Sequence, residues 1–127
     1  MSAPTGRDRH VLVVDDEPDL LGALRLRLSA AGYRVTTVSD GLAAVAAVRD
    51  GDPDVVVLDL VLPGLDGHAV LQRLGDLERG RPLPVLCLSA RTGYQDQERA
   101  ESGGAVAFMA KPYDPAELLA EVARLAG

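Results

Sequence analysis

A chain of 127 residues suits one ordinary domain and can bury a core without disulfide or metal staples. Its composition is globular, 47% hydrophobic and 25% charged, yet with no tryptophan and one phenylalanine it offers no platform for stacking single-stranded nucleic acid. The formal net charge of −6 repels phosphate backbones, so no direct DNA or RNA contact is expected, and bound cations or basic partners are favoured.

The polar start "MSAPTGRDRH" lacks the hydrophobic segment of a signal peptide, and residues 1–8 are expected to form a flexible tail before a single domain over 9–127. No apolar stretch approaches the roughly 20 residues needed to cross a bilayer, so no membrane partner is expected. Residues 10–14, "HVLVV", form a short β-branched run that stops at "DDEPD". "LLGALRLRLSAAG" then carries Leu21, Leu24 and Leu28 at helical spacing, with Pro18 suited to the first turn and Gly32 to the stop. The same alternation follows in "YRVTTV" and "GLAAVAAVRDG", then in "DVVVLDL" and "GHAVLQRLGDL". "LPVLCLS" with "YQDQERAESGG", and "AVAFMA" with "DPAELLAEVARLA", complete five strand-helix units. The runs at 55–58 and 85–88 are apolar without alternation, as central parallel strands covered on both faces should be. These units predict an α/β fold, a doubly wound five-stranded parallel sheet. Cys87, the only cysteine, lies in one of these runs, which excludes an internal disulfide and predicts a buried, inert thiol in an intracellular, cytoplasmic chain. The sequence stops right after the fifth helix pattern, so no output domain is expected within it.

Sites in open parallel sheets form at the carboxyl ends of the strands. Asp15, Asp16 and Glu17 follow the first strand, Asp59 ends the third, Ser89 the fourth and Lys111 the fifth. Singly, each has a plain reading: the acids at 15–19 could cap a helix, Asp59 a turn, and Ser89 and Lys111 could be ordinary loop and surface residues. Together they make a convergent set of carboxylates, a hydroxyl and an ammonium on one edge. Clustered carboxylates repel one another unless a cation sits among them, and Mg²⁺ suits oxygen ligands of this kind. An aspartate beside Mg²⁺ is a nucleophile toward phosphoryl groups, and a nearby hydroxyl and ammonium can neutralise phosphoryl oxygens. On this reading Asp59 ends a buried strand because a rigid element must hold a reactive carboxylate at a cation site.

The stretches "LVVDDE", "VVVLDLVLPGLDG", "LSA" and "KPYDPAEL" stand in the order and at the spacing of the response-regulator receiver family of two-component signalling, which the chain resembles over about residues 9–125. The resemblance implies the (βα)5 flavodoxin-like fold with strand order 2-1-3-4-5. It implies Asp59 as phosphoacceptor, Asp16 as a direct Mg²⁺ ligand, Asp15 as a ligand through water, and the Val61 carbonyl as a backbone ligand. Ser89 and Lys111 match the phosphoryl-binding hydroxyl and ammonium, Ala90 a small position beside the acceptor, and Phe108 the switch aromatic, with Ser89 its partner in switching. Lys111-Pro112 resembles a bond that is cis in the family, and Val61 and Arg91 occupy its rate-setting variable positions. The implied phosphodonor is a histidine kinase or histidine phosphotransfer protein, the downstream effector is unspecified, and the domain modifies only itself, turning over no metabolite. "GGAVAF" at 103–108 and Glu121 depart from the charges of the winged-helix class, so a monomer or weak dimer is expected.

Other classes fit less well. An aspartate-dependent phosphatase of the haloacid dehalogenase type places a second Asp two residues after its nucleophile, where this chain has Val61, and has a cap domain. A flavodoxin-like FMN module needs a hydroxyl-rich phosphate loop where this chain has "DDEPD". A phosphate-free interaction module would be expected to have a broken motif. His10 and His68 lack metal-ligand spacing and are expected in packing or surface roles.

Overall fold

A computed structural model describes residues 9–62, 66–77, 79–90 and 93–127. The tail expected over residues 1–8 and the variable position Arg91 lie outside them. Strands and helices alternate as β1 (His10–Val14), α1 (Pro18–Ala30), β2 (Arg34–Val38), α2 (Gly41–Gly51) and β3 (Val55–Asp59). The alternation continues with α3 (Gly67–Asp76), β4 (Val85–Ser89), α4 (Tyr94–Ser102), β5 (Ala107–Ala110) and α5 (Pro115–Ala126). All strand pairings are parallel and the order is β2-β1-β3-β4-β5, the doubly wound sheet that the alternation predicts.

The period-two geometry of a strand sends successive side chains to opposite faces, and both faces here are covered. Leu12, Val14, Val56, Leu58, Val85 and Cys87 pack with Ala44, Val48, Val70, Leu71, Leu74 and Ala100 of α2, α3 and α4. Val11, Val13, Val55, Val57, Leu86 and Leu88 pack on the other side with Leu24 and Leu28 of α1 and Leu118 and Val122 of α5. Every residue of β1, β3 and β4 is therefore buried, which explains the unbroken apolar runs at 11–14, 55–58 and 85–88. Each fully buried leucine or valine among them stabilises the fold by about 1.5–3 kcal/mol relative to exposure. Burial also pushes the Cys87 thiol up to about 12, so it stays protonated and inert.

Three strands begin later than their apolar runs, each because a backbone N–H is engaged elsewhere or missing. Tyr33 donates to Leu28 O at 3.1 Å to close α1, so β2 starts at Arg34. Gly32 makes that closure at φ 98, a left-handed conformation that a side chain would resist. Pro84 has no N–H to give, and β4 starts at Val85. Ala105 donates to Ala100 O at 3.0 Å to finish α4, which delays β5 to Ala107.

Candidate functional site at the carboxyl edge of the sheet

Parallel strands bring their carboxyl ends to one edge, and the strand-end acids meet there. Asp15, one residue past β1, is 1% exposed and Asp59, the last residue of β3, is 3% exposed. With the exposed Asp16 they form a cluster in which one carboxylate oxygen from each lies within 4.8 Å of the others. The Lys111 ammonium, just past β5, donates to Asp15 Oδ2 at 2.8 Å and to Asp59 Oδ2 at 2.9 Å. It also reaches Glu17 Oε1 at 3.5 Å.

The local chain holds each carboxylate by its second oxygen. Asp15 Oδ1 accepts the Glu17 N–H at 3.0 Å, and Asp59 Oδ1 accepts the Val61 N–H at 2.9 Å. The backbone N–H of Asp15 donates to Val38 O at 3.2 Å, and that of Leu60 to Leu88 O at 3.0 Å, so both acids sit on backbone pinned by a neighbouring strand. Lys111 is fixed likewise, its N–H donating to Ser89 O at 2.9 Å. Asp15, Glu17 and Asp59 thus face one ammonium while Asp16 adds a further carboxylate beside Asp15 and Asp59, an excess of negative charge that a bound cation would relieve. Burial raises the Asp59 carboxyl above its ordinary value and Asp15 adds to that, while the Val61 N–H and Lys111 pull the other way without cancelling it. Burial disfavours the Lys111 ammonium, but its bonds to Asp15 and Asp59 outweigh this and hold its pKa above lysine's ordinary value. The lysine therefore stays charged throughout the physiological range. A hard divalent cation fits this donor set, whose nearest ligand atoms are carboxylate oxygens already gathered at one point.

Ser89 ends β4, 1% exposed, one residue past the register partner of Asp59. Ala90 follows it and is exposed. Phe108 lies opposite Cys87, half-buried against the cluster shared with α2, α3 and α4. The Lys111-Pro112 peptide is cis, as the resemblance implies. Neither histidine joins the acids: the His10 ring packs at the opposite edge, with Nε2 at 2.7 Å from Thr36 Oγ1, and His68 sits half-buried in the first turn of α3. Two residues beside the site received no role from sequence reasoning. Glu17 counted only as one more strand-end acid, and its reach to Lys111 depends on a side-chain path that spacing does not encode. Gly67 stands in the sequence only as the first residue of the third helix pattern, although its backbone lies against Leu60.

A family model described as the response regulator receiver domain matches residues 11–123. Among curated proteins, the transcriptional regulatory protein KdpE of Mycobacterium tuberculosis strain H37Rv is 45% identical over 112 residues, 88% of this chain and 48% of KdpE. The chain spans about half the length of the curated relatives it matches. Among solved structures, the receiver domain of the sensor histidine kinase PA1611 from Pseudomonas aeruginosa PAO1 aligns with a TM-score of 0.85 at 33% identity. The alignment covers 94% of this chain and 98% of that one, which was crystallised with a magnesium ion coordinated in its active site cleft. The Vibrio cholerae chemotaxis protein CheY4 aligns with a TM-score of 0.87 at 27% identity over 92% of this chain and 98% of its own.

Proposed function

Because this chain belongs to the response regulator receiver domain family, we propose that it is a phosphorylation-switched receiver that takes a phosphoryl group onto Asp59 from a histidine kinase or histidine phosphotransfer protein. The observation that carries this reading is the Lys111 ammonium bridging Asp15 Oδ2 and Asp59 Oδ2 within the three-aspartate cluster. Asp15 and Asp59 each have one oxygen on that ammonium, a backbone N–H on the other and a strand behind them; of the two, Asp59 ends its strand and stands where the resemblance to the receiver family puts the acceptor. An Asp59 oxygen forms the bond to phosphorus as the bond to the donor's imidazole nitrogen breaks, and the imidazole leaves with its electron pair. Lys111 and the Ser89 hydroxyl then serve the phosphoryl oxygens, and the Val61 N–H keeps the carboxylate turned toward them.

Asp15, Asp16 and Asp59, with the Val61 carbonyl, are the groups that would hold Mg²⁺, which supplies charge neutralisation for the phosphoryl oxygens when bound. The protein modifies only itself and turns over no metabolite. Phosphohistidine donors draw on ATP, so the exchange belongs in the cytoplasm. The acidic domain passes its signal to an effector rather than to nucleic acid directly, as a monomer or weak dimer. Intact-mass measurement after incubation with Mg²⁺ and acetyl phosphate tests this. Wild type should gain one phosphoryl group and Asp59→Asn none; equal gain in both proteins would sink the assignment.

A further inference from the structure

Gly67 opens α3, buried, and its N–H donates to Leu60 O at 3.2 Å. A Cβ added at Gly67 would lie 2.3 Å from Leu60 Cα, 2.5 Å from its O and 2.6 Å from its C. All three are backbone atoms, so no side-chain rotation relieves the clash. Real Cβ contacts stop at 3.0 Å, so the Leu60 backbone or the start of α3 would have to retreat. The requirement is for the absence of a side chain and not for glycine's conformational freedom, since Gly67 is not among the glycines with positive φ. At the other end of α3, a Cβ on Gly75 would meet nothing within 4 Å.

Leu60 stands between Asp59 and Val61. Its N–H is held by Leu88 O on one side, and the first residue of α3 presses on it from the other. That grip fixes the two-residue link across which the Val61 N–H reaches Asp59 Oδ1 at 2.9 Å. We propose that Gly67 is a positioning residue for phosphoryl transfer, its missing side chain letting α3 hold Leu60 where the Val61 N–H secures Asp59 Oδ1. This deepens the reading of Asp59 as phosphoacceptor and rests on it. A misplacement on the order of 1 Å in a reacting group costs about 100-fold in rate, so a partial retreat of Leu60 should cost about tenfold or more.

The test compares wild type with Gly67→Ala, Gly75→Ala and Val61→Pro. One measurement is hydrogen exchange of the Val61 amide without phosphodonor, in the first three proteins. The other is the rate of Asp59 labelling by acetyl phosphate with Mg²⁺, in all four. Gly67→Ala should exchange the Val61 amide about tenfold faster and label about tenfold slower, while Gly75→Ala matches wild type in both. Val61→Pro removes the N–H itself at an exposed position past the strand and should slow labelling about as much with Gly67 intact. Wild-type exchange and labelling in Gly67→Ala overturn the proposal, as does wild-type labelling in Val61→Pro. If Gly67→Ala does not fold in plain buffer, all four proteins are compared in trimethylamine N-oxide, an excluded osmolyte that favours the folded state, and the same outcomes decide. If wild type itself takes no label, the acceptor reading fails alone, and Val61 exchange still decides whether Gly67 sets the Asp59 geometry.

Discussion

Lys111→Met keeps the aliphatic stem and deletes the ammonium. Asp15 and Asp59, whose side chains are 1% and 5% exposed, then face each other without the counter-charge they share. Removing one partner of a buried ion pair costs about 3–5 kcal/mol; because the Lys111 side chain keeps some exposure and the cluster opens onto exposed Asp16, about 3 kcal/mol is the expectation. For a domain of this size that is a fall of roughly 10 °C in Tm. The loss should depend on pH with a definite sign. Burial already raises Asp59, and deleting Lys111 removes two of the influences that oppose it, so the carboxyl rises further. A carboxyl with a raised folded value holds more protons folded than unfolded between its two pKa values. Stability therefore falls as pH rises through that window, and the deficit is complete above it. Melts followed by circular dichroism should show the full gap at pH 7 and a much smaller one near pH 4, about the value of an unfolded aspartate. A gap of under about 3 °C at pH 7, or one equally large at both pH values, would refute the reasoning.

Asp16→Asn should raise the Tm of metal-free protein by about 1–3 °C by easing repulsion, and should abolish the rise that Mg²⁺ gives wild type; an intact Mg²⁺ response would reduce Asp16 to a loop residue. Asp54→Ala leaves the His10 N–H without its 2.7 Å acceptor and should cost about 1–3 kcal/mol at pH 7 in denaturant melts. Burial pushes Asp54 up, but the His10 N–H, Arg81 and Arg9 hold it below the ordinary aspartate range, so its ionic contribution is present above about 3.9 and is lost as pH falls through the lower folded value. The Asp54→Ala gap should narrow on that acid side only. Ser89→Ala should still accept phosphoryl on Asp59 but lose most of the phosphorylation-dependent NMR shift around Phe108; a full wild-type shift would disconnect the hydroxyl from the aromatic.

The sheet was legible because its central strands are buried on both faces and so are apolar without interruption, as Val55–Leu58 and Val85–Leu88 are. The strand-end acids were legible for the converse reason: a carboxylate after such a run, as at Asp59, has no packing role to explain it. Strand starts were less legible, since whether Tyr33 or Ala105 enters a ladder depends on whether its N–H has already closed a helix. The contacts of Glu17 and Gly67 were not legible at all. One needs the path of a long side chain to Lys111, and the other needs two backbones to meet, neither of which spacing encodes.

The two edges of the sheet are built on opposite principles, and the contrast bears on which residues serve the fold. At the amino edge, Asp54 accepts from His10 N–H and pairs with Arg81, while Asp52 takes two bonds from Arg79, whose Nη2 also reaches Pro53 O at 2.7 Å. Asp52 holds a left-handed φ of 44 at the end of α2, and two arginines are paired with it there. Acids and bases are matched at that edge, and changes to them should weaken the protein. At the carboxyl edge, three carboxylates share one ammonium, Asp16 crowds two of them, and a buried carboxyl is held above its ordinary value. Local electrostatics there run against stability, as is common where a sequence departs from the rules of its own fold to make a site. Neutralising Asp16 should therefore strengthen the protein, whereas neutralising Asp54 should weaken it, although both follow the same arithmetic of charge.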